Sequence, residues 1–192
     1  MRKFFCLSAI LLIVSCNSSK NTTAGPTSKQ FFVEDLLEMN AASIKDAFPN
    51  EVITEDVGLF EEGTEERAYT VISPNSPDEL HITWKDKNRT QIEDIRMDTN
   101  GKWKSKTSIK IGSTYDELTQ MNQKPISFYG FGWDYSGATL WNDGKLEKSS
   151  IHVFLAPEKE PKNKFYGDHI MKATPEEIKD MDLKVKAILF KS

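Results

Sequence analysis

Cysteine is nearly absent from this chain: Cys6 and Cys16 are the only two in 192 residues, too few for a disulfide scaffold or a thiolate metal cluster. The motifs of common enzyme classes are missing too. No G-x-S-x-G elbow, P-loop, HExxH pair or dinucleotide fingerprint occurs, and carboxylates such as Asp116, Asp134 or Asp168 stand in no pattern that marks acid–base work. There is no basic excess: 25 Lys and Arg face 29 Asp and Glu, a formal charge of −4, which argues against a nucleic-acid partner. With three histidines and no recognised ligand spacing, neither a metal nor another cofactor is expected. Long apolar runs are lacking except over residues 4–14, and that run is too short to span a bilayer as a helix.

The one apolar run is informative for what surrounds it. Arg2 and Lys3 precede it and small Ser15 closes it, the layout of a secretory signal. The tetrapeptide Ile13-Val14-Ser15-Cys16 resembles the lipobox of bacterial lipoproteins, and the resemblance implies cleavage after residue 15 and acylation of Cys16. A spanning anchor, or an ordinary signal with an incidental cysteine, is the alternative. Each buried methylene contributes about 0.8 kcal/mol, so two or three acyl chains hold a protein on a membrane almost irreversibly. Asn17 stands where an aspartate would resemble an inner-membrane retention signal, so the expected location is the outer membrane, facing the periplasm. Loss of Arg2 and Lys3 from the 25 basic residues leaves 23 against 29 acidic, a mature charge of −6. Lipid on Cys16 would block the last thiol, leaving the fold to its core. The division expected is a signal peptide over 1–15, a lipidated cysteine and solvated tether over 16–29, rich in Asn, Ser, Lys and Thr, and one α+β domain over 30–192.

Within that domain, spacing predicts a helix over 31–39 and a second over 41–48, stopped by Pro49. The acidic stretch over 55–66, interrupted by Gly58 and Gly63, reads as a loop with at most one short strand. Residues 67–72 and 79–85 flank Ser73-Pro74-Asn75-Ser76-Pro77 and predict a hairpin; 91–97 predicts a third strand, and Asn100-Gly101 a turn at positive φ. Thr114 and Glu117 form a capping box, and Pro125 ends the helix they open. Residues 138–141 and 150–156 predict a second hairpin through Asn142-Asp143-Gly144. Thr174-Pro175-Glu176-Glu177 starts a last helix, and 183–190 a last strand. The sum is an antiparallel sheet of hairpins and meander with short helices on one face. Similar strand texts, Leu80-His81-Ile82 and Ile151-His152-Val153, suggest half-repeats over 40–100 and 110–192, although hydrophobic alternation alone makes strands look alike.

The run Gly112, Thr114, Glu117, Leu118, Asn122, Lys124-Pro125 and Phe128-Tyr129-Gly130-Phe131-Gly132-Trp133-Asp134-Tyr135-Ser136-Gly137 resembles a signature of uncharacterised exported bacterial lipoproteins, with Ser136 where glycine is usual. The resemblance covers about thirty residues and brings no activity with it. In layout, a capped helix followed by a meander is similar to β-lactamase inhibitor protein and to small lipoproteins of the outer-membrane assembly machinery, which bind proteins and catalyse nothing; fold likeness does not fix function.

Five rings crowd residues 128–135, and aromatic loops gather binding energy. Tyr129, Phe131, Trp133, Asp134 and Tyr135 are therefore the candidate interaction residues. The competing expectation is that most of the rings fill the core while Asp134 bonds loop amides. His81 and His152 occupy matching strand positions and offer a metal-binding or pH-sensitive couple, although solvent-facing histidines explain them more simply. The function expected is a non-catalytic cell-envelope lipoprotein that binds an envelope protein or serves envelope assembly, with the membrane as its other partner through the lipid. An inhibitor of a periplasmic enzyme, a small-ligand receptor and a hydrolase are the alternatives.

Overall fold

In the computed structural model, which describes residues 31–60 and 63–192, alternation of apolar and polar side chains is realised as strand. Among the described residues eight strands form: β1 (Ile53–Phe60), β2 (Glu65–Ile72), β3 (Leu80–Trp84), β4 (Ile92–Met97), β5 (Ser127–Phe128), β6 (Thr139–Leu140), β7 (Ile151–Pro157) and β8 (Leu183–Lys191). Six make one antiparallel sheet in the order β1-β2-β3-β4-β8-β7, and β5 pairs with β6. Ile82, Ile95, Phe190 and Ile151 lie opposite one another across four strands, as do Met97, Ile188 and Val153. All of these are buried on one face. Full burial of each such side chain contributes roughly 1.5–3 kcal/mol.

Among the described residues four short α-helices cover that face: α1 (Val33–Leu36), α2 (Ala41–Ala47), α3 (Tyr115–Asn122) and α4 (Pro175–Met181). Val33, Leu36, Ile44, Leu118 and Met181 join the strand residues in a single core, and the class is α+β. Both capping boxes form. Thr114 accepts from Glu117 N and Thr174 from Glu177 N, and each glutamate bonds back to the cap amide; each threonine cap is worth about 1 kcal/mol. Within the sheet, Trp84 Nε1 donates to Thr70 Oγ1 at 2.8 Å, so neither buried polar group is orphaned. Among the described residues no helix is long and apolar enough to cross a membrane.

Several elements differ from expectation. The acidic stretch is mostly strand: β1 runs unbroken through Glu55, Asp56 and Gly58, because an edge strand leaves its charges in solvent. The predicted second hairpin does not form. Residues 139–140 pair with β5 and β7 pairs with β8, so the two predicted strands are joined through the bridge Ala138 to Phe154 and a bond from Trp141 Nε1 to Ile151 O at 3.2 Å. The nine residues of β8 offer a longer apolar row than β6 can. Just past the predicted Asn100-Gly101 turn, Trp103 packs edge-on against Phe48 and donates from Nε1 to Asp78 O at 2.7 Å. Gly101 is there for space and not for positive φ, since a Cβ on it would meet Pro77 O at 2.1 Å. The first helix shrinks to Val33–Leu36 as Val33 N turns to Lys104 O.

Candidate functional site

The aromatic loop is built on β5 and β6. Tyr129 N–H extends their pairing by donating to Ala138 O, and Leu155 N–H donates to Gly137 O, tying the loop to β7. On its other side, Gly130 N–H donates to His169 O, Phe131 N–H to Phe165 O and Gly167 N–H to Phe131 O. The loop backbone is thus stitched along both margins. Its glycines are needed for this: a Cβ on Gly130 would meet Met171 Cε at 2.2 Å, and Gly132 and Gly137 have φ of +82° and +71°. Ser136 Oγ accepts from Gly132 N–H at 3.2 Å, which gives that serine a task a glycine could not perform.

The five rings divide between two environments. Phe128 and Phe131 point inward, stack at 5.7 Å and are buried. Phe131, expected among the interaction residues, is therefore a core residue, held there by the pairing of its backbone with Phe165 and Gly167. Tyr129, Trp133 and Tyr135 form an outer row, with ring centroids 5.6 Å apart for the first pair and 5.3 Å for the second. Trp133 is fixed by an Nε1 bond to Gly130 O at 2.8 Å. Tyr135 is 58% exposed. Asp134 is exposed as well, and among the described residues its carboxylate bonds no loop amide. Cys16 lies outside the described residues.

No protein-family model matches the chain, and no curated protein matches it in sequence. The chain is similar to the uncharacterized protein yfeY from Escherichia coli in its crystal structure, with 12% sequence identity over 79% of this chain and 87% of that one, and a TM-score of 0.45.

The other candidates disperse. His81 and His152 face the same open side of the sheet, in the cross-strand row His81, Arg96, Leu189, His152. Three strand spacings, roughly 14 Å, separate them, too far for a shared metal or proton. His81 Nε2 instead meets Glu79 Oε1 at 2.7 Å. Partial burial, with Lys191 nearby, lowers the pKa of His152. Asp116, Asp168 and His169 are exposed. A groove of about 740 Å³ between α3 and α4, lined by Tyr115, Pro125, Pro175 and Ile178, contains neither Asp134 nor a histidine.

Two neighbours of the loop were not singled out from sequence. Tyr166 lies beside Gly132, and Ile170 bridges Tyr129; they are 40% and 47% exposed. The Tyr166 hydroxyl donates to Glu160 Oε1 at 2.9 Å, and that carboxylate raises its pKa. Only the distant pairing of residues 165–171 with the loop brings them there, and no local pattern announces it.

Proposed function

We propose that this protein is a non-catalytic lipoprotein of the cell envelope, anchored through Cys16, which binds a protein partner with the rim formed by Tyr129, Trp133 and Tyr135. One observation carries this reading. Phe128 and Phe131 supply the apolar filling beneath the loop, yet half-buried Trp133 and exposed Tyr135 stay out of that filling, on a backbone hydrogen-bonded along both margins. Rigid aromatic side chains lose little conformational entropy on binding and contribute large contact areas. Tyr166 and Ile170 extend the same rim. The lipobox-like segment supports the compartment: an acylated Cys16 would confine the domain to partners within reach of its tether.

A photoreactive residue placed at Tyr135 in the full chain, in cells, should give a discrete protein adduct that Trp133→Ala abolishes, while the same probe at exposed Asp180 on α4 gives none. Adducts of equal yield at both positions, or none at Tyr135, would contradict the reading. The anchor is tested separately: Cys16→Ser should move the protein from the membrane fraction to the soluble one with its thermal unfolding midpoint unchanged.

A further inference from the structure

The six exposed large apolar side chains among the described residues form two groups. Tyr135, Tyr166 and Ile170 flank the aromatic loop; Val52, Val57 and Leu59, exposed by 65%, 41% and 72%, lie on or beside β1. β1 is one of the two edge strands of the sheet, the other being β7. Its hydrogen-bonding parity follows from its register. Ser73 N–H donates to Val52 O, and Val52 and Ser73 continue the same antiparallel register that pairs Ile53 with Ile72 and Thr54 with Val71. Narrow pairs then recur at every second residue, so Thr54, Asp56, Gly58 and Phe60 turn their main-chain groups toward β2. Ile53, Glu55, Val57 and Leu59 turn theirs away, and no main-chain group among the described residues meets them. Val57 N–H alone is occupied, by Asp56 Oδ1 at 2.8 Å.

An outward ladder with exposed apolar side chains is a template for another strand. We propose that β1 pairs antiparallel with β1 of a second copy of this chain about a two-fold axis at Val57. This inference is independent of what the aromatic rim binds. Outward groups meet outward groups only when the axis passes through a residue and not between two. Two such registers pair seven residues of β1. The one centred on residue 56 sets Asp56 directly against its own copy, and like charges directly opposite are destabilising. The one centred on residue 57 sets Val57 against Val57, Glu55 against Leu59, Asp56 against Gly58 and Thr54 against Phe60. No acid then opposes an acid, and Lys45 already neutralises Glu55 at 2.7 Å. Three narrow pairs supply about six main-chain hydrogen bonds. Val57 N–H exchanges its Asp56 acceptor for the carbonyl of Val57 in the second copy, and two six-stranded sheets become continuous.

The register predicts a position-specific disulfide. Facing residues of a narrow pair have Cα atoms about 5.5 Å apart, within disulfide range, so full-length Val57→Cys in its membrane should form a covalent dimer under mild oxidation. Leu59→Cys should form about tenfold less, because its two sulfurs start roughly 14 Å apart. Random collision gives the reverse order, since Leu59 is the more exposed. The parent chain controls for Cys6 and Cys16. Val57→Pro removes only an outward N–H and spares the β1–β2 ladder; it should convert the detergent-solubilised dimer to monomer in sedimentation, with the circular dichroism spectrum kept. Equal or greater crosslinking through Leu59→Cys, no crosslinking through Val57→Cys, or a dimer that survives Val57→Pro would overturn the proposal.

Discussion

Asn122 and Gly144 occupy one site: the buried Asn122 carboxamide sits where a side chain on residue 144 would go, 2.2 Å from a Cβ built there. Asn122 Nδ2 donates to Lys124 O and Trp141 O, and its Oδ1 accepts from Leu146 N–H. The end of α3 is thereby locked to the turn after β6. Asn122→Ala leaves buried main-chain groups unpaired, each costing roughly 1–3 kcal/mol; a total loss of about 3 kcal/mol is expected in urea denaturation. Gly144→Ala should cost a similar amount through overpacking alone. If either variant unfolds at the parental midpoint, the lock does not matter to stability.

What could be seen in the sequence was local. Thr114 with Glu117, and Thr174 with Pro175 and Glu177, declare helix starts because each cap bonds within its own turn. Leu80, Ile82 and Trp84 declare a strand because one face of it is buried. β1 escaped because Glu55 and Asp56 stand side by side on an edge strand, where both faces tolerate charge and the alternation fades. The false hairpin came from the opposite cause: 138–141 and 150–156 are strand-like in themselves, but β5 and β8 compete for them, and pairing choice is non-local. The aromatic loop combines the two. Five rings look alike in a string of letters, and the 3-10 turn at Asn163–Phe165 with the residues just after it, bonded to the loop backbone, selects Phe131 for the core and leaves Tyr135 outside.

That selection predicts a sharp contrast within one loop. Phe131 is buried against Phe128, so Phe131→Ala should cost about 3–5 kcal/mol. Tyr135→Ala should change stability by less than about 0.5 kcal/mol, as surface substitutions do. Chemical denaturation of the two variants side by side measures both. A large loss on removing the Tyr135 ring would place it among the structural rings and out of the proposed rim.

Asp94 lies on the open face of the sheet between Thr83 and Lys191, and burial raises its pKa despite a hydrogen bond from Thr83. The folded protein therefore keeps this proton at pH values where the unfolded carboxyl, with a pKa of about 3.9, has already lost it. Stability contributed by this residue is largest in acid and falls as pH rises through the raised folded value. Asp94→Asn removes the penalty and keeps a partner for Thr83. The variant should be the more stable protein at neutral pH, with the difference closing below about pH 4. Urea midpoints across that range test this, and a variant less stable at neutral pH would show that the attraction of the Asp94 carboxylate to two nearby cations, Lys191 and Arg67, outweighs desolvation.

Gly63 and Gly137 both have positive φ, +83° and +71°, in opposite surroundings. Among the described residues nothing lies within 4 Å of a Cβ on Gly63, whereas one on Gly137 would fall 1.8 Å from Leu155 O. Alanine at either position incurs the left-handed strain of about 1–2 kcal/mol. At Gly137 it must also push the loop off β7, breaking the Leu155 N–H bond to Gly137 O. Gly63→Ala should therefore cost about 1 kcal/mol and Gly137→Ala about 3–4 kcal/mol. Because Gly137 anchors the aromatic loop, its substitution should also shift the fluorescence of Trp133, measured with the other tryptophans replaced, before global unfolding begins. Equal costs at the two glycines would mean that the loop yields without resistance, and that the aromatic rim is not the rigid surface its hydrogen bonds describe.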